Sequence, residues 1–148
     1  MAEVRVEETI VIGAPLEQVF EYRLDFTNLP SYNPNVGNLR RTDPGTDPGE
    51  GAEYLFDLTI EGAPDPLETP LLVTKVEPPD RFTYVTGPGF MAAGECTFEN
   101  ADVGTLVTLG YTLTLPGEID AATEHALASM TRADARKELE NIKKILES

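Results

Sequence analysis

Six stretches of this chain, at 4–12, 52–60, 70–77, 81–86, 91–100 and 105–115, alternate apolar and polar residues with a period of two. None of them runs continuously apolar. Strands of that kind build an antiparallel sheet with one wet face and one apolar face, and the apolar face needs a cover. One segment is long enough to supply it. Residues 119–147 contain neither proline nor glycine and read as a single helix, about 43 Å long at 1.5 Å per residue. Its charges follow the helix dipole, with Glu118, Asp120 and Glu124 early and Lys137, Lys143 and Lys144 late.

The phase of each strand predicts which side chains meet that helix. Val4, Val6, Ile10 and Ile12 share a face, and Glu8 falls in phase with them. Tyr54, Phe56, Leu58 and Ile60 form the second set. Lys75 and Glu77 are expected to face water, which places Leu72, Thr74 and Val76 inward. Phe82 and Tyr84 follow, then Gly94, Cys96 and Phe98, then Val107, Leu109, Tyr111 and Leu113. Between the first two strands, Pro15 opens a helix carrying Leu16, Val19, Phe20 and Leu24 at helical spacing. The run NLPSYNPNV at 28–36 leaves room for only a short second helix. The segment TDPGTDPGEG at 42–51 is two successive Asp-Pro-Gly turns joining strands. At 148 residues, with no repeat and no linker, the chain is read as one domain over 1–148.

The apolar stripe of the terminal helix runs through Ala121, Ala128, Ala135, Leu139, Ile142 and Leu146, with Glu124 and Thr131 on the same face. Its C-terminal half is bulky; its N-terminal half is alanine interrupted by a carboxylate and a hydroxyl. Small residues facing a wide sheet leave unfilled volume, unless Phe56, Phe82 and Tyr84 interdigitate to occupy it.

Charge narrows the partners. The chain has 11 Lys and Arg against 26 Asp and Glu, a formal charge of -15. Such a chain repels phosphate backbones and anionic lipid surfaces, so no nucleic-acid partner is expected. No stretch is apolar enough to span a membrane, and the start MAEVRVEETIVIG lacks the basic opening and apolar run of a secretory signal. No integral membrane association is expected, and the location expected is cytoplasmic. One cysteine, Cys96, and one histidine, His125, allow no internal disulfide and no multi-cysteine or multi-histidine metal site. Neither a metal nor a cofactor is expected, and the protein is expected to be a monomer or a homodimer.

Three stretches carry a resemblance: TIVIGAPLEQVFEYRLDFTNLPSYNPNV, VTKVEPPDRFTYV and CTFENADVGTLVTLGYTL. Together they span nearly the whole chain. They resemble the SRPBCC, or START-like helix-grip, superfamily, which includes polyketide cyclase/dehydrase and birch-pollen-allergen-like proteins. Many bacterial relatives have tryptophan where Tyr32 stands. The resemblance implies an α+β fold in which a seven-stranded antiparallel sheet wraps a long C-terminal helix, with two short helices after the first strand. It also implies a cavity between sheet and helix for a small hydrophobic or amphipathic ligand, of lipid, quinone or polyketide-like character. Fold alone does not choose among carriage, catalysis and regulation.

Expected to line that cavity are Glu8, Tyr54, Phe56, Leu58, Leu72, Thr74, Phe82, Tyr84, Cys96, Phe98, Leu109, Tyr111, Glu124, Ala128 and Thr131. Glu124 is the catalytic candidate, since a carboxylate in an apolar pocket acquires a raised pKa suited to proton transfer. Near a helix N-terminus it is equally a solvated dipole partner. Glu8 is either a ligand-orienting acid or a strand-end residue at the cavity margin. Tyr84 and Tyr111 each combine an apolar ring with a polar tip, useful for packing or for orienting a ligand. Cys96 reads as a buried small hydrophobe. The expected function is binding or carriage of a small hydrophobic ligand. The alternatives are a polyketide cyclase/dehydratase-like lyase and a regulatory protein-interaction module.

Overall fold

The structure, a computed structural model, describes residues 2–148. Its elements run β1 (Ala2–Ile12), α1 (Leu16–Leu24), α2 (Leu29–Tyr32), β2 (Val36–Arg41), β3 (Glu53–Leu58), β4 (Leu67–Glu77), β5 (Arg81–Thr86), β6 (Ala92–Ala101), β7 (Gly104–Leu115) and α3 (Ala121–Glu147), with 3-10 turns at Phe26–Asn28 and Pro88–Phe90. The strands form one seven-stranded sheet in the order β1-β7-β6-β5-β4-β3-β2. Every pairing is antiparallel. The first strand therefore pairs with the last. The chain leaves β1 at one edge and returns as β2 at the other, so α1 and α2 must cross the apolar face between them.

Local chemistry explains α1. Pro15 precedes it in extended conformation, Glu17 sits in its first turn, and Val19, Phe20, Arg23 and Leu24 form its buried face. Asp25 ends it and accepts from the Thr27 amide, opening the following turn. The face packs into an aromatic core in which Phe20, Phe26, Phe82 and Phe98 lie with ring centroids 5.3 to 6.1 Å apart.

Two strands differ from the periodicity reading, and a bulge explains each. The seventh strand implied by the resemblance is β2, VGNLRR, where the register shifts between Gly37 and Arg40 and Asn38 takes a left-handed φ of 49°. A bulge interrupts the two-residue period, so alternation alone does not register it. In β4 the register shifts between Val73 and Lys75. Lys75 faces out and Val76 in, as their chemistry predicts. Before the bulge the phase inverts, so Thr69, Leu71 and Val73 are buried while Thr74 is exposed. Leu72 and Thr74 therefore point away from the core, correcting their inward assignment.

Helix α3 begins at Asp120, whose carboxylate accepts from the Thr123 amide at 2.7 Å. Only its second half is firmly seated, with Ala135, Glu138, Leu139 and Ile142 buried. It lies along β1, the edge strand, and satisfies two of its outward carbonyls and an amide just past its end. Arg136 and Lys143 donate to the Thr9 and Val11 carbonyls, each at 2.8 Å, and the Gly13 amide donates to Glu147 at 2.6 Å. Among the described residues no helix is long and apolar enough to cross a membrane.

Candidate functional site

Where α3 presents Thr131 and Ala135 to the sheet, the side chains do not meet, and a cavity of about 390 Å³ remains. The sheet contributes Phe56, Leu58, Leu71, Tyr84, Tyr111 and Leu113; Phe26, Leu29 and Tyr32 close one side. Its lining includes Pro34, Asn35, Asp134 and Lys137, all exposed, so it reaches solvent between the α2–β2 junction and α3. Both accounts of the alanine face hold, in different places. Phe82 and its neighbours fill the interior beneath α1, and the unfilled volume lies beside them.

One wall of the cavity is a buried polar network whose charged members, Arg23 and Glu138, the sequence reading did not single out. Arg23, 1% exposed, donates to Glu138 Oε1 at 3.1 Å, to Tyr32 Oη at 3.1 Å and to Tyr84 Oη at 3.2 Å. Its guanidinium also lies 5.2 to 5.7 Å from the ring centroids of Phe26, Tyr32, Phe82 and Tyr84. Tyr84 donates onward to Tyr111 Oη at 2.7 Å. The second Glu138 oxygen accepts a long bond from Asn33 at 3.5 Å. Arg23 Nε is buried without a partner. An orphaned donor costs about 1–3 kcal/mol, a cost that functional sites tolerate more often than cores do.

Burial sets the protonation states. It pushes the Tyr32, Tyr84 and Tyr111 hydroxyls up, with Arg23 only partly offsetting it. Burial likewise raises Glu138 despite the neighbouring Arg23. Burial works against the Arg23 charge as well, but Cys96, Tyr32, Tyr84 and Glu138 together hold its pKa above the ordinary guanidinium value. Position 94 fixes the tyrosine geometry. A Cβ on Gly94 would overlap the Tyr84 ring, so only glycine lets that ring lean across β6 toward Tyr111.

Of the residues expected in the cavity, Phe56, Leu58, Tyr84, Tyr111 and Thr131 line it. Tyr54, Phe82, Cys96, Phe98 and Leu109 face inward as expected but are buried in the packed core beside it. Burial pushes the Cys96 thiol up to about 11, consistent with an inert hydrophobe. Leu72 and Thr74 lie on the outer face, where Thr74 bonds Thr83 at 2.7 Å. Glu8 shares the inner face of β1 but lies under the flank of α3, 3.9 Å from Arg132, and does not reach the lining. Glu124 is exposed in the first turn of α3, and Ala128 is half-buried outside the lining. The helix's small-residue face extends past the end of the cavity, which begins at Thr131. Among the described residues no cluster of three His, Cys, Asp or Glu side chains is placed to hold a metal ion.

A signal for the missed residues was present. Arg23 stands four residues after Val19 and three after Phe20, on the apolar face of α1. Glu138 stands seven after Thr131, on the stripe already drawn along α3. Each breaks an apolar face with a charge, and the charges are opposite.

Residues 3–147 match the family model described as polyketide cyclase/dehydrase and lipid transport. No curated protein sequence is similar enough to match the chain. Solved structures share its fold at low identity. The di-domain ARO/CYC StfQ from the steffimycin biosynthetic pathway superposes with a TM-score of 0.80 at 16% identity, covering 98% of this chain and 51% of that one. The chain thus spans about half the length of that two-domain protein. Ara h 8.0201 gives 0.75 at 13% identity, with 98% of both chains covered. SA2116 from Staphylococcus aureus, a protein of unknown function, gives 0.79 at 12%, covering 99% of this chain and 94% of that one. Identities this low establish the shared fold, a helix gripped by a seven-stranded sheet, and nothing about activity.

Proposed function

The chain belongs to the polyketide cyclase/dehydrase and lipid transport family, and from that premise we propose that it binds and carries a small hydrophobic or amphipathic molecule in the cavity between sheet and α3. The observation that carries this reading is a ring-lined cavity of about 390 Å³ whose charged wall is internally paired. Apolar walls supply affinity at roughly 25 cal/mol per Å² buried, and a few polar groups orient the ligand. Acid–base chemistry asks for a group poised to exchange its proton near working pH. The tyrosines here are held protonated, Glu138 is tied to Arg23 and Asn33, and Glu124 lies in solvent away from the lining.

A cyclase/dehydratase-like activity is the second reading. It is favoured by the convergence of a carboxylate, a cation and two phenols on one wall. Native mass spectrometry of freshly purified protein separates the two. Carriage predicts a co-purifying lipid or aromatic compound that is released unchanged on denaturation. Conversion of an added polyketide-like compound to a product lighter by one water would establish the enzyme instead. Failure of fatty acids, quinones and polycyclic aromatics alike to bind would overturn both.

A further inference from the structure

The first half of β1 is a sheet edge with nothing paired to it. In an antiparallel pair, a residue's amide and carbonyl point to the same side, and the side alternates along the strand. The carbonyls of Thr9 and Val11 point away from β7, where Arg136 and Lys143 meet them. The β1–β7 register is unbroken from Ala2 to Ile12, so the backbone groups of Glu3, Arg5 and Glu7 point the same way. Among the described residues nothing bonds those amides and carbonyls. The three side chains are exposed, while Val4 and Val6 between them are buried. Charge marks the same stretch. Six of the seven arginines pair with a carboxylate, but among the described residues neither Arg5 nor Glu7 is in any ion pair. The side-chain hydrogen bond that Arg5 does make is a long one, 3.5 Å to Thr112 Oγ1.

A second copy of this edge supplies both missing partners. Two β1 strands related by a two-fold axis run antiparallel, so residue i opposite j implies j opposite i. Residues whose backbone groups point outward must lie opposite one another to bond, which leaves few registers. Centred on Arg5, that residue meets its own copy and Glu3 meets the partner's Glu7; centred on Glu7, two glutamates meet. Like charges directly opposite are destabilising. Centred on Val4, the seam is short and Glu7 lies opposite residue 1. Centred on Val6, Arg5 lies opposite the partner's Glu7, Glu7 lies opposite the partner's Arg5, and the seam spans residues 3–9. We propose that the chain forms a two-fold homodimer by antiparallel pairing of β1 with the partner's β1 in the register centred on Val6. The pairing does not depend on what the cavity holds. So short a seam buries little area, and the dimer is expected to dissociate on dilution.

The test is sedimentation equilibrium of the whole chain in about 0.15 M salt, where screening over roughly 8 Å weakens the general repulsion between acidic copies but not directly opposed side chains. The wild-type mass is expected to rise from 16.1 kDa toward twice that value with concentration. Arg5→Glu and Glu7→Arg each put like charges opposite one another twice, and each should raise the dissociation constant about tenfold or more. Both residues are exposed, so the melting temperature of the dilute variants should match that of dilute wild type. Mixing the two variants restores opposite charges at every pair and should restore the dimer. In concentrated wild type, the amides of Arg5 and Glu7 should exchange slowly with solvent, and dilution should make them fast. A mass that stays at 16.1 kDa up to about 0.2 mM would overturn the proposal. So would a wild-type dimer that either variant leaves intact, that the mixture fails to restore, or that leaves those two amides fast.

Discussion

Arg23 on α1 and Glu138 on α3 stand 115 residues apart in sequence and meet with side chains 1% and 10% exposed. A buried ion pair adds little net stability, because desolvation offsets most of the attraction, but removing one partner strands the other. Glu138→Ala is expected to cost about 3–5 kcal/mol, read from urea unfolding midpoints. Replacing the pair together, Arg23→Met with Glu138→Leu, should recover most of that loss. A single-variant cost below about 1 kcal/mol would show that water reaches the pair. At this scale the sequence was only half legible. Tyr84 and Tyr111 were readable from strand phase, because each alternates cleanly with polar neighbours. Arg23 and Glu138 were on apolar faces too, yet a charge on a helix margin is ordinary. Their meaning depends on a distance between α1 and α3 that no spacing encodes. Glu124 shows the converse, since helical phase put it on the right face and only the length of the cavity put it outside.

Among the elements, α3 divides at Thr131 into a half that borders solvent and a half that closes the cavity. Filling the void from the boundary is therefore expected to block ligands cheaply. Thr131→Trp should abolish uptake of a small polycyclic aromatic probe without the roughly 1–3 kcal/mol penalty of overpacking a tight core. Ala128→Phe, outside the lining, should leave uptake unchanged. Equal effects of the two would place the cavity further along the helix than its lining residues do. The β2–β3 loop offers a pH test. Asp43 accepts from Arg41 at 2.7 Å and from the amides of Glu53 and Gly45, which hold its carboxyl well below the usual carboxylate range. A depressed pKa means the clamp is fully present above the unfolded value, about 3.9, and is lost only as pH falls through the lower folded one. Hydrogen exchange at Gly45 and Glu53 should thus stay slow at about pH 4, and become fast at neutral pH in Asp43→Ala. Fast exchange in wild type at pH 4 would contradict the clamp. Strand existence was legible from period two, whereas β2 and the first half of β4 were not, because a bulge carries no sequence mark beyond an unremarkable Gly or Thr.

For the whole molecule, strand period and the long terminal helix supplied a one-sided sheet and part of its cover, while the seven-stranded helix-grip arrangement came from the family resemblance and the rest of the cover is α1. The charge of -15 acts at this scale as well. Like charges oppose the compact state, so raising salt from about 0.01 M to about 1 M, which shortens the screening length from roughly 30 Å to roughly 3 Å, is expected to raise the melting temperature. A fall would mean that surface pairs such as Arg40–Glu68 and Arg81–Glu95 outweigh the general repulsion.

An open sheet also has two borders along which a foreign strand could add. On the β1 side the carbonyls of Thr9 and Val11, near the end of the strand, are taken by Arg136 and Lys143, and Glu147 takes the amide of Gly13 just beyond it. On the β2 side the strand is six residues long, bulged, and ends in Arg40 and Arg41. Each border is thus hindered by a different device, the β1 border at its C-terminal end. The terminal helix, besides roofing the cavity, thus obstructs strand addition at that end of β1, and loss of its last turns would free those backbone groups.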